Sequence, residues 1–427
     1  MTAQYMGVRC RLLLALLGWL ALADTPSAAT RSSQSAAVDA IVEAALKEGP
    51  FPGISVAIEQ RGAVVYSRGF GFADLERHTP VTPAIRFPVG SITKSFTCLS
   101  MMQLVDKGAV DLDAPVGVYL PQLPSPSRDV KVRNLLNHTS GIPNYTDLPE
   151  FPMGKPIGLN RAQMLGYFAA KPLQFPSGTR FGYTNSGTYL LGLIIEATSG
   201  QSYDQYVTTH VLKPFGMSQT GFDAHADDAA GRARGYRLTP NGFARAPLYD
   251  FEVPFSAGSV VSTTGDLLKY RQGVFGSKSD AAVRKLVLSH DALAGGQPNP
   301  YALGCLIETD LDGHRKITHA GDIFGFAADY AYYPDDDLTI AILTNSGSAR
   351  YPPITIERIG GVDSQGPTLP LRYQGDSRFV SVVDDEHVLV FEQQPDGAER
   401  VVMHYYEGVI DATKPAPSRQ SSSGDHS

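Results

Sequence analysis

The stretch FPVGSITKSFT, residues 87–97, sets Ser91 and Lys94 three apart, directly after a glycine and at the head of an apolar run. On a helix, positions i and i+3 share a face, so both side chains point the same way from its first turn. A serine hydroxyl is a weak nucleophile until a neighbour takes its proton. A lysine in crowded apolar surroundings is able to surrender its charge and do so. The helix N-terminus adds unpaired N–H groups and a positive dipole end, which suit an oxyanion on an attacked carbonyl. By itself the spacing also fits a capping serine followed by a solvated lysine, because so short a motif is only a hypothesis.

Two further stretches bear on the choice. FGYTNSG puts Tyr183 and Asn185 on one side of a Gly-flanked turn ahead of a helix, where a phenol and an amide can face a cleft. ITHAGDIFGF ends a strand at His319 and turns through Gly321 and Gly325, glycines that permit close approach of a ligand to backbone N–H groups. Other residues are read as structural. His138, in NHTSGIP, belongs to a turn near the cleft. His314 and His319 have no carboxylate or cysteine at ligand spacing, so no zinc site is expected. Asp335, Asp336 and Asp337 read as a solvated turn, and Tyr332 and Tyr333 as sheet residues.

These residues need elements to hold them. Residues 36–47 have helical apolar spacing, and two strand-like runs follow around Arg61 and Gly62, as in an antiparallel hairpin. Residues 91–107 are apolar on nearly all faces, the mark of a buried helix, and stop at Gly108. Residues 111–255 are rich in Pro, Gly and short helical patterns, the clearest over 188–199 before Gly200. From Tyr301 strand signals return in YALGCLIETD, HRKITHAG and FAADYAYYPDDDLTIAILTN. Strands at both ends with helices between them predict an α+β domain whose terminal strands share one sheet.

With 427 residues and a net charge of −7, the chain can bury a sizeable core and carries no basic run to hold nucleic acid or anionic lipid. The N-terminus reads as an export leader over residues 1–29: Arg9 and Arg11, a short apolar run, then cleavage after Ala23 or Ala29. That run is too short for a comfortable membrane span, although a retained anchor is the alternative. The product would be periplasmic or secreted. Cys98 and Cys305 then remain, both in apolar segments; a disulfide between them is arithmetically possible, and buried free thiols are the expectation. Beyond about residue 366 an alternating pattern predicts a small antiparallel β appendage, 366–412, and a disordered tail, 413–427. The main domain is expected over 33–362.

In this order, Ser-x-x-Lys, Tyr-x-Asn and His-x-Gly make the chain resemble the serine β-lactamase and penicillin-binding D,D-peptidase superfamily, in the branch nearest class C β-lactamases. The likeness runs from about residue 40 to 350. It includes LVDKGAVDLDAPVGVYLP, VRNLLNHTSGIPNY, LLGLIIEATSGQSYDQYVTTHVLKPFGMSQTGF and SAGSVVSTTGDLLKY. The resemblance implies an antiparallel sheet flanked by helices, with a mainly helical subdomain. It implies Ser91 as acyl-forming nucleophile, Lys94 as proton acceptor and Tyr183 as its partner and relay to the leaving group. Asn185 would bind a substrate amide, His319 and Gly321 would form the third motif, and the N–H groups of Ser91 and Asp322 the oxyanion hole. No metal or cofactor is implied. Strong β-lactamases of this resemblance have Lys where this chain has His319, so a carboxylate clamp is weakened, and Asp322 adds negative charge or caps the turn. The expectation is an exported serine hydrolase of small esters or amides. A D-alanyl-D-alanine carboxypeptidase on cell-wall peptide and a non-catalytic peptidoglycan-binding protein are the alternatives.

Overall fold

The computed structural model describes residues 28–48, 51–151, 158–222, 231–239, 242–247, 250, 252–277, 279–299, 301–311 and 314–346, with strands inside 371–414. Most of the expected leader, residues 1–27, and the tail beyond residue 414 lie outside the described residues.

Helix α1 (Ala28–Glu48) precedes the hairpin of β1 (Gly53–Gln60) and β2 (Ala63–Asp74), then the short strands β3 (Thr79–Pro80) and β4 (Phe87–Pro88). A 3-10 turn, Gly90–Ile92, opens into α2 (Thr93–Asp106). The helical layer continues through α3 (Val132–Leu136), α4 (Arg161–Phe168), α5 (Asn185–Ser199) and α6 (Tyr203–Val207). After the small hairpin β5 (Tyr236–Thr239) and β6 (Gly242–Arg245) come α7 (Phe255–Gly258), β7 (Val261–Ser262), α8 (Thr264–Phe275) and α9 (Ala281–Val287). Strands β8 (Ile307–Leu311), β9 (His314–Ile323), β10 (Phe326–Tyr333) and β11 (Leu338–Thr344) complete the sheet.

That sheet is seven-stranded, antiparallel, in the order β3-β2-β1-β11-β10-β9-β8. The expected junction of the chain's two ends is the β1–β11 pair, in register from Ile54 opposite Thr344 to Gln60 opposite Leu338. β1 is buried over almost its whole length because both its faces are covered. Ser55 and Glu59 meet α8, through Thr264 and Arg271. Tyr66 and Arg68, directly across from Ile58 and Val56, meet Asp39 of α1 on the other face. The two covered faces are why its polar residues Ser55 and Glu59 are as buried as Val56 and Ile58. The hairpin turns at Arg61 and Gly62, both left-handed (φ +52° and +76°), the conformation that a two-residue turn between twisted strands needs.

α2 is the buried axis of the helical layer: Phe96, Met101 and Met102 have no exposed surface, and Gly108 ends the helix at φ +70°. Each such side chain contributes about 1.5–3 kcal/mol on leaving water. α5 begins three residues before the predicted 188, because Thr184 caps it by accepting the Ser186 N–H; Gly200 at φ +71° ends it.

Two expectations differ. The strand read over YALGCLIETD begins only at Ile307, because residues 302–306 fold into a tight turn with Cys305 left-handed (φ +54°) and Ala302 and Leu306 hydrogen-bonded. That turn carries Cys305 to α2, where it forms a disulfide with Cys98 (Cα–Cα 5.7 Å) in place of the expected free thiols.

A separate compact unit includes a five-stranded antiparallel meander: Leu371–Gly375, Arg378–Ser381, Val388–Gln393, Glu399–Tyr405 and Gly408–Lys414. Its last strand takes in Thr413 and Lys414, two residues beyond the predicted end of the appendage.

Candidate active site

The turn that presents Ser91 is built by two glycines. Gly90 is left-handed (φ +52°), and a Cβ there would lie 2.8 Å from the Asp322 backbone nitrogen. Gly321 is tighter still, since its Cβ would fall 1.9 Å from the Val89 carbonyl oxygen. Only a bare backbone lets strand β9 approach the serine turn this closely. β8 pairs with β9 only as far as Thr318, so the segment 319–323 faces the Ser91 turn on that side instead of another strand.

Ser91 Oγ is the point of convergence. Lys94 Nζ lies 2.9 Å away, and the Tyr183 hydroxyl is also at 2.9 Å. Lys94 has no exposed surface. Besides Ser91 it donates to Asn185 Oδ1 (2.7 Å) and the Ala257 carbonyl (2.9 Å), and its Nζ stands 4.8 Å from the Tyr183 ring centroid. Both of those other partners can only accept, so they occupy two N–H bonds whatever the charge on the amine. A neutral Lys94 then turns its lone pair to the Ser91 hydroxyl, and a charged one turns its third hydrogen there. The contact is short enough for one proton to pass between the two groups.

Asn185 is held on both ends of its amide: Oδ1 accepts from Lys94 and Nδ2 donates to Thr146 Oγ1 (3.2 Å). Its backbone N–H goes to Asn144 Oδ1 (3.0 Å), and Ser186 Oγ ties the same turn to residues 143 and 145. The segment 138–146 is thus a cradle for Tyr183 and Asn185.

His319 is fully buried in the wall of the site. Its Nδ1 faces the Ala320 carbonyl (2.5 Å), an obligate acceptor, so Nδ1 carries the hydrogen. Nε2 is then the acceptor for the Tyr301 hydroxyl at 2.9 Å. Burial, with repulsion from Lys94, pushes its pKa down to about 3, so the ring is neutral at physiological pH. Asp322, three residues further along β9, is half-buried. Ser91, Lys94, Tyr183 and Asn185 meet within hydrogen-bond reach, and Gly321 and Asp322 lie against the serine turn. His319 turns to Tyr301.

The residues that the sequence did not single out are Asn144, Thr146, Ala257 and Tyr301. The first three lie in the stretches NHTSGIPNY and SAGSVVSTTGDLLKY or just beyond them, which the resemblance had marked. Tyr301 carried no signal, because a phenol before a strand is ordinary core chemistry.

The family model "Beta-lactamase" matches residues 38–360, three quarters of the chain. The chain belongs to the β-lactamase family. Its architecture is that of the family's serine hydrolases, a β-lactamase/transpeptidase-like sheet flanked by helices. Among curated proteins, Protein flp of Staphylococcus aureus (strain MW2) is 30% identical over 338 residues, 75% of this chain and 65% of that protein. The chain therefore spans about 65% of the length of that relative. A D-aminopeptidase of Gluconobacter oxydans (strain 621H) is 28% identical over 329 residues, 74% of this chain and 60% of the other. Among solved structures, a penicillin binding protein from Bacillus halodurans superposes with a TM-score of 0.61 at 26% identity, covering 69% of this chain and 91% of that one.

Proposed function

We propose that this protein is an exported serine hydrolase that cleaves small amides and esters without a free carboxylate, those of D-amino acids foremost, through an acyl-enzyme on Ser91. The observation that carries the reading is the convergence of Lys94 and Tyr183 on Ser91 Oγ at 2.9 Å each. Ser91 attacks the substrate carbonyl carbon as its proton passes to the Lys94–Tyr183 pair, and the oxyanion forms between the backbone N–H groups of Ser91 and Asp322. Tyr183 hands the proton to the leaving amine or alcohol as the carbon–nitrogen or carbon–oxygen bond breaks. Water then hydrolyses the serine ester.

The substrate class rests on His319. A neutral, buried imidazole with both nitrogens engaged offers no cation to a substrate carboxylate. This favours amides and esters over peptides whose free carboxylate would sit at that wall, and the similarity to a D-aminopeptidase supports a D-amino acid as the acyl part. Export is supported by the basic and apolar leader and by the disulfide, which persists in oxidising compartments.

The test is product release by chromatography and binding by calorimetry, with intact-protein mass against time to catch the acyl-enzyme, for D-phenylalanine amide, a D-alanyl ester, a peptide ending in D-Ala-D-Ala and benzylpenicillin, run beside Ser91→Ala and Lys94→Ala. Turnover of amide and ester by the wild type, its loss in Ser91→Ala and a fall of about 10²–10⁴-fold in Lys94→Ala are expected. Preferred cleavage of the carboxylate-ended peptide would move the assignment to a D,D-carboxypeptidase. Binding without turnover of any of the four would leave a peptidoglycan-binding protein.

A further inference from the structure

We infer that His138 is a positioning residue for Tyr183, holding the phenol against Ser91 by gripping the backbone on both sides of it; this rests on the reading of Tyr183 given above. The His138 carbonyl accepts the Gly182 N–H at 2.8 Å, and its ring Nδ1 accepts the Thr184 N–H at 3.3 Å. Those are the two residues flanking Tyr183. The His138 ring also packs on the Tyr183 ring, centroids 4.4 Å apart, and meets Tyr301 at 4.6 Å. Tyr183 is thereby held by backbone, by ring contact and by the same wall that fixes His319.

Three features separate this from a histidine that merely fills space. The residue is left-handed (φ +55°), a conformation uncommon for any side chain and one that clusters where function demands it. It has no exposed surface, and its Nε2 has no hydrogen-bond partner among the described residues. A purely structural polar group of that kind would be better replaced by an apolar one. Nδ1, by contrast, is spent on one backbone N–H that no aliphatic or phenyl ring could accept. Because Nδ1 accepts, the ring hydrogen stands on Nε2 and the ring is neutral. The angle at which residues 182–184 leave the cradle, and hence the reach of the Tyr183 hydroxyl, follows from that bond.

The experiment measures the burst of p-nitrophenolate from p-nitrophenyl acetate, whose amplitude counts acylatable sites and whose rate reports acylation per site. Variants are His138→Ala, His138→Asn and His138→Phe, each alone and combined with Tyr183→Phe. Asn offers an acceptor close to the place of Nδ1 and tolerates the left-handed backbone; Phe keeps the ring and lacks the acceptor. His138→Ala is expected to slow acylation about 10²-fold, the scale of a misplaced catalytic group, with KM little changed. Asn restores much of the rate and Phe does not. Adding His138→Ala to Tyr183→Phe costs little further, since both disable one unit. Rescue by Phe rather than Asn, or full additivity with Tyr183→Phe, would overturn the inference and leave a packing role. If the Ala variant does not fold, the Asn and Phe variants carry the same comparison. If Tyr183→Phe itself acylates at the wild-type rate, the reading of Tyr183 fails on its own, separately from any His138 result.

Discussion

His319 is buried beside Lys94, and the cost of charging a desolvated imidazole there, raised further by repulsion from Lys94, makes the stability of the protein depend on acid. An ordinary histidine titrates near 6.5, whereas the folded His319 is pushed down to about 3. Above pH 6.5 the ring is neutral folded or unfolded, and the native state is undiminished. Between 6.5 and 3 the unfolded chain binds a proton that the folded chain refuses, so stability falls as pH falls. The loss reaches on the order of 4 kcal/mol by pH 3.5. His138 is depressed in the same direction, by burial and then by Lys94 and His319, and adds to the same limb. Urea midpoints measured from pH 7 to 3.5 should fall, and His319→Gln should flatten the slope. Ser91, Lys94, Tyr183 and Asn185 were legible because each pair sits within three residues on one turn. The Tyr301–His319 bond was not, because its partners lie 18 residues apart on different segments and nothing local demands it.

Among the elements, the close approach of β9 to the serine turn rests on Gly321. A methyl group there would overlap the Val89 carbonyl oxygen at 1.9 Å, backbone against backbone, with no side chain able to yield. Gly321→Ala should therefore shift the strand from Ser91 and cost about 1–3 kcal/mol of stability by overpacking. Acylation should slow by more than that loss of stability can account for. Single-turnover acylation measured beside a melting curve separates the two. The glycine's need for close approach was legible in HAGDIFG, but its contact was not: a glycine after a strand announces proximity without naming the neighbour. The helices were legible where caps spoke for them, as at Gly108 and Gly200. The strand read from residue 301 failed because apolar alternation says nothing of a cysteine held in a left-handed turn.

For the molecule as a whole, the Cys98–Cys305 disulfide joins the axis of the helical layer to the segment leading into the last strands, across 207 residues of chain. Cross-links over long loops restrict the unfolded chain most, and removal of this one should cost about 2–4 kcal/mol. Cys98→Ser and Cys305→Ser, and the wild type under reductant, should melt several degrees lower by the same amount, while the double variant should be no worse than either single one. Labelling the unfolded protein with a thiol reagent checks the bond directly, since a disulfide leaves Cys98 and Cys305 unlabelled. The bond was invisible in the sequence, where two apolar surroundings argue as well for two buried thiols.

The pairing of β1 with β11 has one more consequence. Gly53 and Asn345 stand side by side at the same end of two neighbouring strands, joined by a hydrogen bond from the Asn345 N–H to the Gly53 carbonyl at 3.3 Å. The first long strand of the sheet therefore starts where its last strand stops, with α1 lying ahead of that junction and packed on β2 through Asp39. A permuted chain that joins Asn345 to Gly53 by a short linker and opens at the exposed glycines 295 and 296 drops α1 and its Asp39 contacts to Tyr66 and Arg68, so it should keep Ser91, Lys94 and Tyr183 assembled while melting below the parent chain.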